Sequence, residues 1–278
     1  MFLKMRSILP FLFAIVFLSS CSEYQKALKN EDVKTKYDMA EKLYEEGDYK
    51  RAVRLFEQIA PKYVGRPQGE RVMFFFADSY FQNKDYYLSG YQFERFMKSY
   101  PKSEKIQEAS FMGAKSYYML SPAYSLDQTD TDKALAKLQT FINTYPESEH
   151  FEEANTMAKE LTSKKEKKQI EIAKQFNKLG AWDYSILVSA ITALDNFVSD
   201  NPGSIYREEA LYYRIEATAT LALNSVDNKK EERLREALDS YKNLLRYYPE
   251  SKFKKKADDL SDKIQKELST FTVISDSK

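Results

Sequence analysis

The sequence predicts an all-α fold, an α-solenoid of about five helix-turn-helix repeats, and three observations predict it. A five-letter tag recurs as SYPKS (99–103), TYPES (144–148), DNPGS (200–204) and YYPES (247–251), with its prolines 45, 56 and 47 residues apart. Periods of that size mark repeat architectures. Ahead of each proline stands the same helical pattern of one small and two large residues. Helix breakers are few, with 7 Gly and 8 Pro in 278 residues, which disfavours an all-β or disordered chain.

The chain opens with a leader. Lys4 and Arg6 precede an apolar run from Ile8 to Leu18, too short to cross a hydrocarbon core that needs about 20 helical residues. A basic start with a short apolar run reads as a secretory signal. It ends in LSSC (18–21), which resembles the bacterial lipobox, and Cys21 is the chain's single cysteine. Residues 1–20 are therefore expected to be removed, leaving Cys21 as an N-palmitoyl, S-diacylglycerol cysteine at the head of a linker over 21–32. Ser22 follows rather than the inner-membrane-retaining Asp, which favours the outer membrane. Several acyl chains anchor far more firmly than one, at about 0.8 kcal/mol per buried CH₂.

The second helix of each repeat is written Ser89-Phe93-Phe96-Pro101, Ala134-Leu138-Phe141-Pro146, Ala190-Leu194-Phe197-Pro202 and Ala237-Tyr241-Leu244-Pro249. Offsets of four and seven share one helix face. Proline ends each helix, because it lacks an N–H and disfavours helical geometry in the residue before it. The tag serine is expected to N-cap the next helix. First helices carry Ala with a partner three on: Ala77/Tyr80, Ala114/Tyr117, Ala173/Phe176 and Ala217/Thr220. The opening repeat fits as Ala40/Leu43 and Ala52-Phe56-Ile59, its terminal proline displaced to Pro61. Small residues on both helices let the pair approach closely, and stacking of neighbours then builds the core.

Repeats one to three are expected over 33–147, and a long bridging helix with repeats four and five over 148–270, before a flexible tail at 271–278. The bridging stretch 147–180, which holds no Pro and no internal Gly, reads as one long helix or two nearly continuous ones. Eight extra residues lengthen repeats three and five. In SPAYSLDQTDTDKA they read as a loop, and in LNSVDNKKEERLREA as longer helices.

The 12-residue small-to-small spacing of Ala40 to Ala52 and Ala77 to Ser89, with the turns EEGDYKRA and QNKDYYLSG, resembles the tetratricopeptide repeat. Together with the lipobox and the segments CSEYQKALKNEDVKTKYDMAEKLYEEGDYKRAVRLFE and YREEALYYRIEATATLA, the chain from Cys21 to about Leu268 resembles the BamD family of outer-membrane assembly lipoproteins, in versions like those of Bacteroidetes. The resemblance implies a non-catalytic, cofactor-free scaffold of the β-barrel assembly machinery, lipid-anchored in the outer membrane and facing the periplasm. It implies docking of the C-terminal half on the POTRA domains of a BamA-type subunit. It also implies that the N-terminal repeats receive C-terminal segments of unfolded outer-membrane proteins.

Six rings stand three before and four after the marker alanines of repeats one to three: Tyr37 and Tyr44, Phe74 and Phe81, Phe111 and Tyr118. At 100° per residue they share one side of the first helices. Two placements are open, a peptide groove or an ordinary amphipathic core stripe. Trp182, after Gly180, is a candidate for partner docking. His150 reads as a surface residue, KKEKK (164–168) as a solvated face rather than a lipid contact, and MFFFADSYF (73–81) as buried helix.

Charge is balanced, 43 Lys+Arg against 42 Asp+Glu, so no concentrated positive field points to nucleic acid. One His and one Cys make no ordinary zinc site, and no metal is expected. No nucleotide loop or catalytic triad order appears, and no catalytic residue is assigned. The rival functions are a cell-division or peptidoglycan scaffold and a glycan-capturing surface lipoprotein, the latter disfavoured by a single Trp.

Overall fold

The computed structural model describes residues 23–275; the leader, Cys21 and its lipobox, and the last three residues lie outside them. The described residues form helices and no strand. A short helix α1 spans 23–29. After it come α2 (Val33–Glu45), α3 (Tyr49–Tyr63), α4 (Gly69–Gln82), α5 (Tyr86–Ser99), α6 (Ile106–Leu120), α7 (Thr129–Thr144), α8 (Phe151–Leu179), α9 (Ser185–Asp200), α10 (Arg207–Leu223), α11 (Asp227–Tyr247) and α12 (Lys254–Ser275). The fold is the expected α-solenoid of helix-turn-helix repeats, with consecutive helices packed as neighbours from α2 to α7 and from α9 to α12. The chain divides into two compact units. One runs through Pro122 and resumes over Gln128–Lys159; the other comprises Ala123–Asp127 and everything from Glu160 on.

The small residues behave as the spacing predicts. Ala40, Ala52, Ala77, Ser89, Ala114, Ala134, Ala173, Ala190, Ala217 and Ala237 are all essentially inaccessible. At one such crossing the Ser89 hydroxyl donates to the Ala77 carbonyl at 3.0 Å and accepts from Ser116 at 3.0 Å, so the polar atom is satisfied where it is buried. Around these contacts Phe93, Phe96, Leu138, Phe141, Leu194, Phe197 and Leu244 are buried, as are Phe56 and Ile59 of the first repeat. Each such side chain contributes about 1.5–3 kcal/mol of burial.

The tag fixes one joint four times. Tyr100, Tyr145, Asn201 and Tyr248 end α5, α7, α9 and α11 with φ/ψ of −132/61, −129/61, −126/62 and −135/73. Each still donates its N–H four residues back, to Phe96, Phe141, Phe197 or Leu244, at 2.8–3.0 Å. Asn201 takes the same geometry without a ring, so the following proline sets it, by excluding the helical region one residue earlier. The tag serine works differently from the expected N-cap. Its hydroxyl accepts the N–H two residues on, from Lys105, His150, Tyr206 or Phe253, at 2.9–3.3 Å. Its own carbonyl accepts the first helical N–H, three residues on. It therefore caps a preliminary turn. Three of the four serines also donate to a glutamate of an earlier helix: Ser103 to Glu70 at 2.5 Å, Ser204 to Glu166 at 2.8 Å and Ser251 to Glu208 at 2.7 Å.

Two further details depart from expectation. Pro61 lies inside α3, which continues to Tyr63; near a helix end a missing N–H removes only one ladder bond, and buried Tyr63 packs on Tyr37 at 6.1 Å. Helix α12 runs on to Ser275, into the stretch expected as tail, whose last three residues lie outside those described. The stretch 147–180 holds a single helix, α8 from Phe151 to Leu179, and the boundary between the units falls within it.

The α3–α4 loop is held by the tag tyrosine. The Tyr100 hydroxyl accepts from Gly65 N–H at 3.0 Å and lies 3.2 Å from the Tyr63 carbonyl. Gly69 has no room for a Cβ, which would collide with the Tyr63 carbonyl and the Tyr100 hydroxyl. Gly69→Ala is expected to lose about 1–3 kcal/mol through overpacking, and Tyr100→Phe about 1–2 kcal/mol. Urea unfolding midpoints measure both losses, and hydrogen exchange should locate the Tyr100→Phe loss in residues 64–69.

Candidate peptide-binding face of the first repeats

In the first unit, the first helices α2, α4 and α6 carry a layered set of rings and charges. The Tyr44 ring stacks on Phe75 with centroids 4.4 Å apart and planes 12° apart. Its hydroxyl donates to Asp78 at 2.6 Å, across from α2 to α4. Burial and then this bond push the Tyr44 hydroxyl far above its ordinary pKa, so it stays a donor. Arg71 lies over the other neighbour of the stack, 5.1 Å from the Phe75 centroid, and pairs with Glu41 of α2. Tyr37 donates to the same Glu41 at 3.0 Å, and burial with this bond raises its pKa to about 12.

Beside this lattice opens a cavity of about 440 Å³, lined by Pro67, Glu70, Arg71, Phe74, Phe75 and Lys105. Its floor is proline and two phenyl rings. Arg71 and Lys105 stand at it as cations, and Lys105 lies 5.2 Å from the Phe74 centroid. Glu70 is occupied by Ser103, as described. Lys105 also pairs with Glu108 at 2.6 Å, as Arg71 does with Glu41, so a carboxylate entering beside an apolar side chain would share or exchange these partly exposed pairs for charge-assisted contacts of its own.

The six candidate rings divide. Tyr37, Tyr44, Phe81 and Tyr118 are half-buried. Phe111 is a core residue, 2% exposed, and Phe74 is largely core at 7%, giving the cavity only an edge of its ring. Phe74 meets Phe93 and Phe96 edge-on, at 5.7 and 5.6 Å, and Phe111 packs on Phe141 at 5.5 Å. The reason is angular: three before the marker alanine points at the second helix of the pair. Ile170 occupies that place in repeat four and is buried against Leu194 and Phe197. Arg214 occupies it in repeat five and reaches Asp195, Glu236 and Ser240. Phe81 sits at the turn, edge-on to Tyr86 at 5.4 Å.

Sequence reasoning missed Phe75, Arg71 and Lys105. Phe75 sat among three consecutive phenylalanines and read as uniformly buried. The available signal is its place two before the marker, off the buried stripe of Ala77 and Tyr80.

Two blander readings also change. His150 is not simply at the surface, since its ring stacks on Phe111 at 4.2 Å and 6°. KKEKK is a clasp within the second unit: Lys167 lies 4.5 Å from the Tyr124 centroid, Lys168 donates to the Leu126 carbonyl at 2.8 Å, and Glu166 accepts from Ser204. Trp182, on the α8–α9 turn of that unit, is 91% exposed, with Leu179, Tyr184 and Val188 also exposed nearby in sequence. Gly180 lets this turn close, because a Cβ there would strike the Leu187 side chain.

Among the described residues no group of three or more His, Cys, Asp or Glu could hold a metal ion, and no helix is long and apolar enough to cross a membrane. Stacked helix pairs with a ring- and charge-lined face define a helical-repeat scaffold of the tetratricopeptide kind. More particularly, the chain belongs to the YfiO family, described as outer membrane lipoprotein, whose model matches residues 29–232 and 183–273. Similar solved structures include "TPR2AB-domain:pHSP90-complex of yeast Sti1", at 13% identity over 84% of this chain and 98% of that one, with a TM-score of 0.39. Another is a Podosopora anserina putative kinesin light chain with nearly identical TPR-like repeats, at 13% identity over 80% of this chain and 100% of that one, with a TM-score of 0.32. No curated protein matches the chain.

Phe74→Ala and Phe111→Ala should each cost about 3–5 kcal/mol, whereas Phe81→Ala should cost clearly less. Chemical denaturation of the three variants checks this ranking.

Proposed function

We propose that this protein is a lipid-anchored scaffold of the outer-membrane β-barrel assembly machinery, of the BamD type. Residues 1–20 are removed, and Cys21 carries the lipids. The body faces the periplasm, docks on the POTRA domains of a BamA-type subunit through its second unit, and receives C-terminal segments of unfolded outer-membrane proteins on its first. The observation that carries this reading is the family match, which spans 29–273.

The first unit supports the receiving role through the cavity between Pro67 and Lys105. An apolar side chain fits its floor, and the carboxylate that ends a polypeptide fits Arg71 and Lys105. Phe81 and Tyr118, each half-buried on a first helix, leave ring surface for further side chains of an extended segment. For docking, the exposed Trp182 with Leu179, Tyr184 and Val188 has the composition of an interface anchor, an aromatic ring among aliphatic neighbours.

The reading is tested in two arms. A fluorescent peptide ending in an aromatic residue should bind the acylated or soluble protein, and Arg71→Glu with Lys105→Glu should weaken it at least tenfold. Amidating the peptide's terminus should do the same, and Phe81→Ala or Tyr118→Ala should weaken binding with unchanged circular dichroism. In the second arm, crosslinking from intact envelope should recover a BamA-type barrel subunit with the native chain and lose it with Trp182→Ala. Equal peptide affinity in all variants, or a pull-down of division proteins instead, overturns the proposal.

A further inference from the structure

The residues that follow the lipobox are not a loose tether. Glu23 opens α1, which lies against the first repeat. Tyr24 and Ala27 are buried in the same core cluster as Ala40, Leu43, Ala52 and Phe56, with Leu28 packed against it. Arg51 of α3 lies 5.5 Å from the Tyr24 centroid. Glu23 pairs with Lys42 at 3.5 Å, and Lys36 donates to the Leu28 carbonyl at 3.2 Å. The turn into α2 is closed as well: Asn30 accepts from Asp32 N–H at 2.9 Å, and Asp32 caps α2 by accepting from Thr35 N–H at 2.8 Å. Every link from residue 23 to the body of the unit is made.

Only Ser22 separates Glu23 from Cys21, and two residues span at most about 7 Å. We infer that α1 is a rigid stirrup that seats the first repeat directly on the membrane, with the outer side of α1 against the lipid headgroups. The inference rests on the lipidation of Cys21 proposed above. On that outer side Gln25, Lys26 and Lys29 are exposed. Among the described residues neither lysine forms an ion pair. Both side chains are long enough to bring an ammonium to phosphate while their stems cover apolar surface. An acylated cysteine on a long flexible linker would let the body tumble; this one ties the orientation of the repeat to the plane of the bilayer.

The test uses the full-length protein processed in cells and reconstituted into vesicles of phosphatidylethanolamine and phosphatidylglycerol that carry a headgroup spin label. Mass spectrometry first reads the acyl mass on Cys21. Cysteines introduced as Lys26→Cys, Lys29→Cys or, on α7, Lys133→Cys then take a fluorophore. Labels at 26 and 29 should be quenched at least threefold more than the label at 133. Inserting twelve Gly/Ser residues after Ser22 should remove that difference while leaving acylation, vesicle recovery and helix content intact. An acylated protein in which all three labels quench alike overturns the stirrup and leaves the lipoprotein reading standing. An unmodified Cys21 overturns both.

Discussion

Everything in this molecule hangs on how closely two helices can approach at one point. In the first two pairs the crossing is made by residues with almost no side chain, Ala40 and Ala52 in one core cluster and Ser89 bonded to the Ala77 carbonyl. Small side chains bring the backbones together, which in turn brings the flanking rings of one pair within reach of the next. Helix-pair repeats stand by such nearest-neighbour contacts, each pair too thin to bury its own apolar face. The ring lattice of the first unit is a product of that spacing. Tyr44 can stack on Phe75 and bond Asp78 only because α2 and α4 lie side by side.

Much of this could be read from the letters. Marker residues, the four tag prolines and the bridging helix α8 follow from strong local rules, a period of 3.6 and a missing N–H, whereas Pro61, near the end of α3, did not end its helix. Legibility failed where the rule was angular and the arc wide. Positions three before and four after an alanine seem equivalent on a wheel, yet Phe74 turns to the second helix while Tyr44 meets the next repeat. Nothing local distinguishes them, because what differs is the neighbour. A second kind of signal went unread, a fixed interval of six from each tag serine to a buried alanine: Ala109, Ala154, Ala210 and Ala257. It marks where each first helix meets the preceding pair.

Charge shows the same limit. The run KKEKK carries no pattern that would separate a solvated face from a clasp, since the partners, Tyr124, Leu126 and Ser204, are distant in sequence. Long-range pairs of this sort are set by which elements the fold brings together. Arg214 makes the point from the other side. It stands where the earlier repeats place a ring, and its guanidinium is tolerated there because Asp195, Glu236 and Ser240 surround it, as a partly buried cation requires.

The last helix has one more consequence. α12 turns Ala257, Ser261 and Ile264 inward, while Lys254, Lys255, Lys256, Asp259, Asp262, Lys263 and Lys266 face water. A repeat array can in principle grow without end, since each unit presents to its successor what it received from its predecessor. Here the outward surface is written in ammonium and carboxylate groups, which a further helix pair could cover only by stripping their hydration. The outer face of α12 is thus a costly seat for a further helix pair.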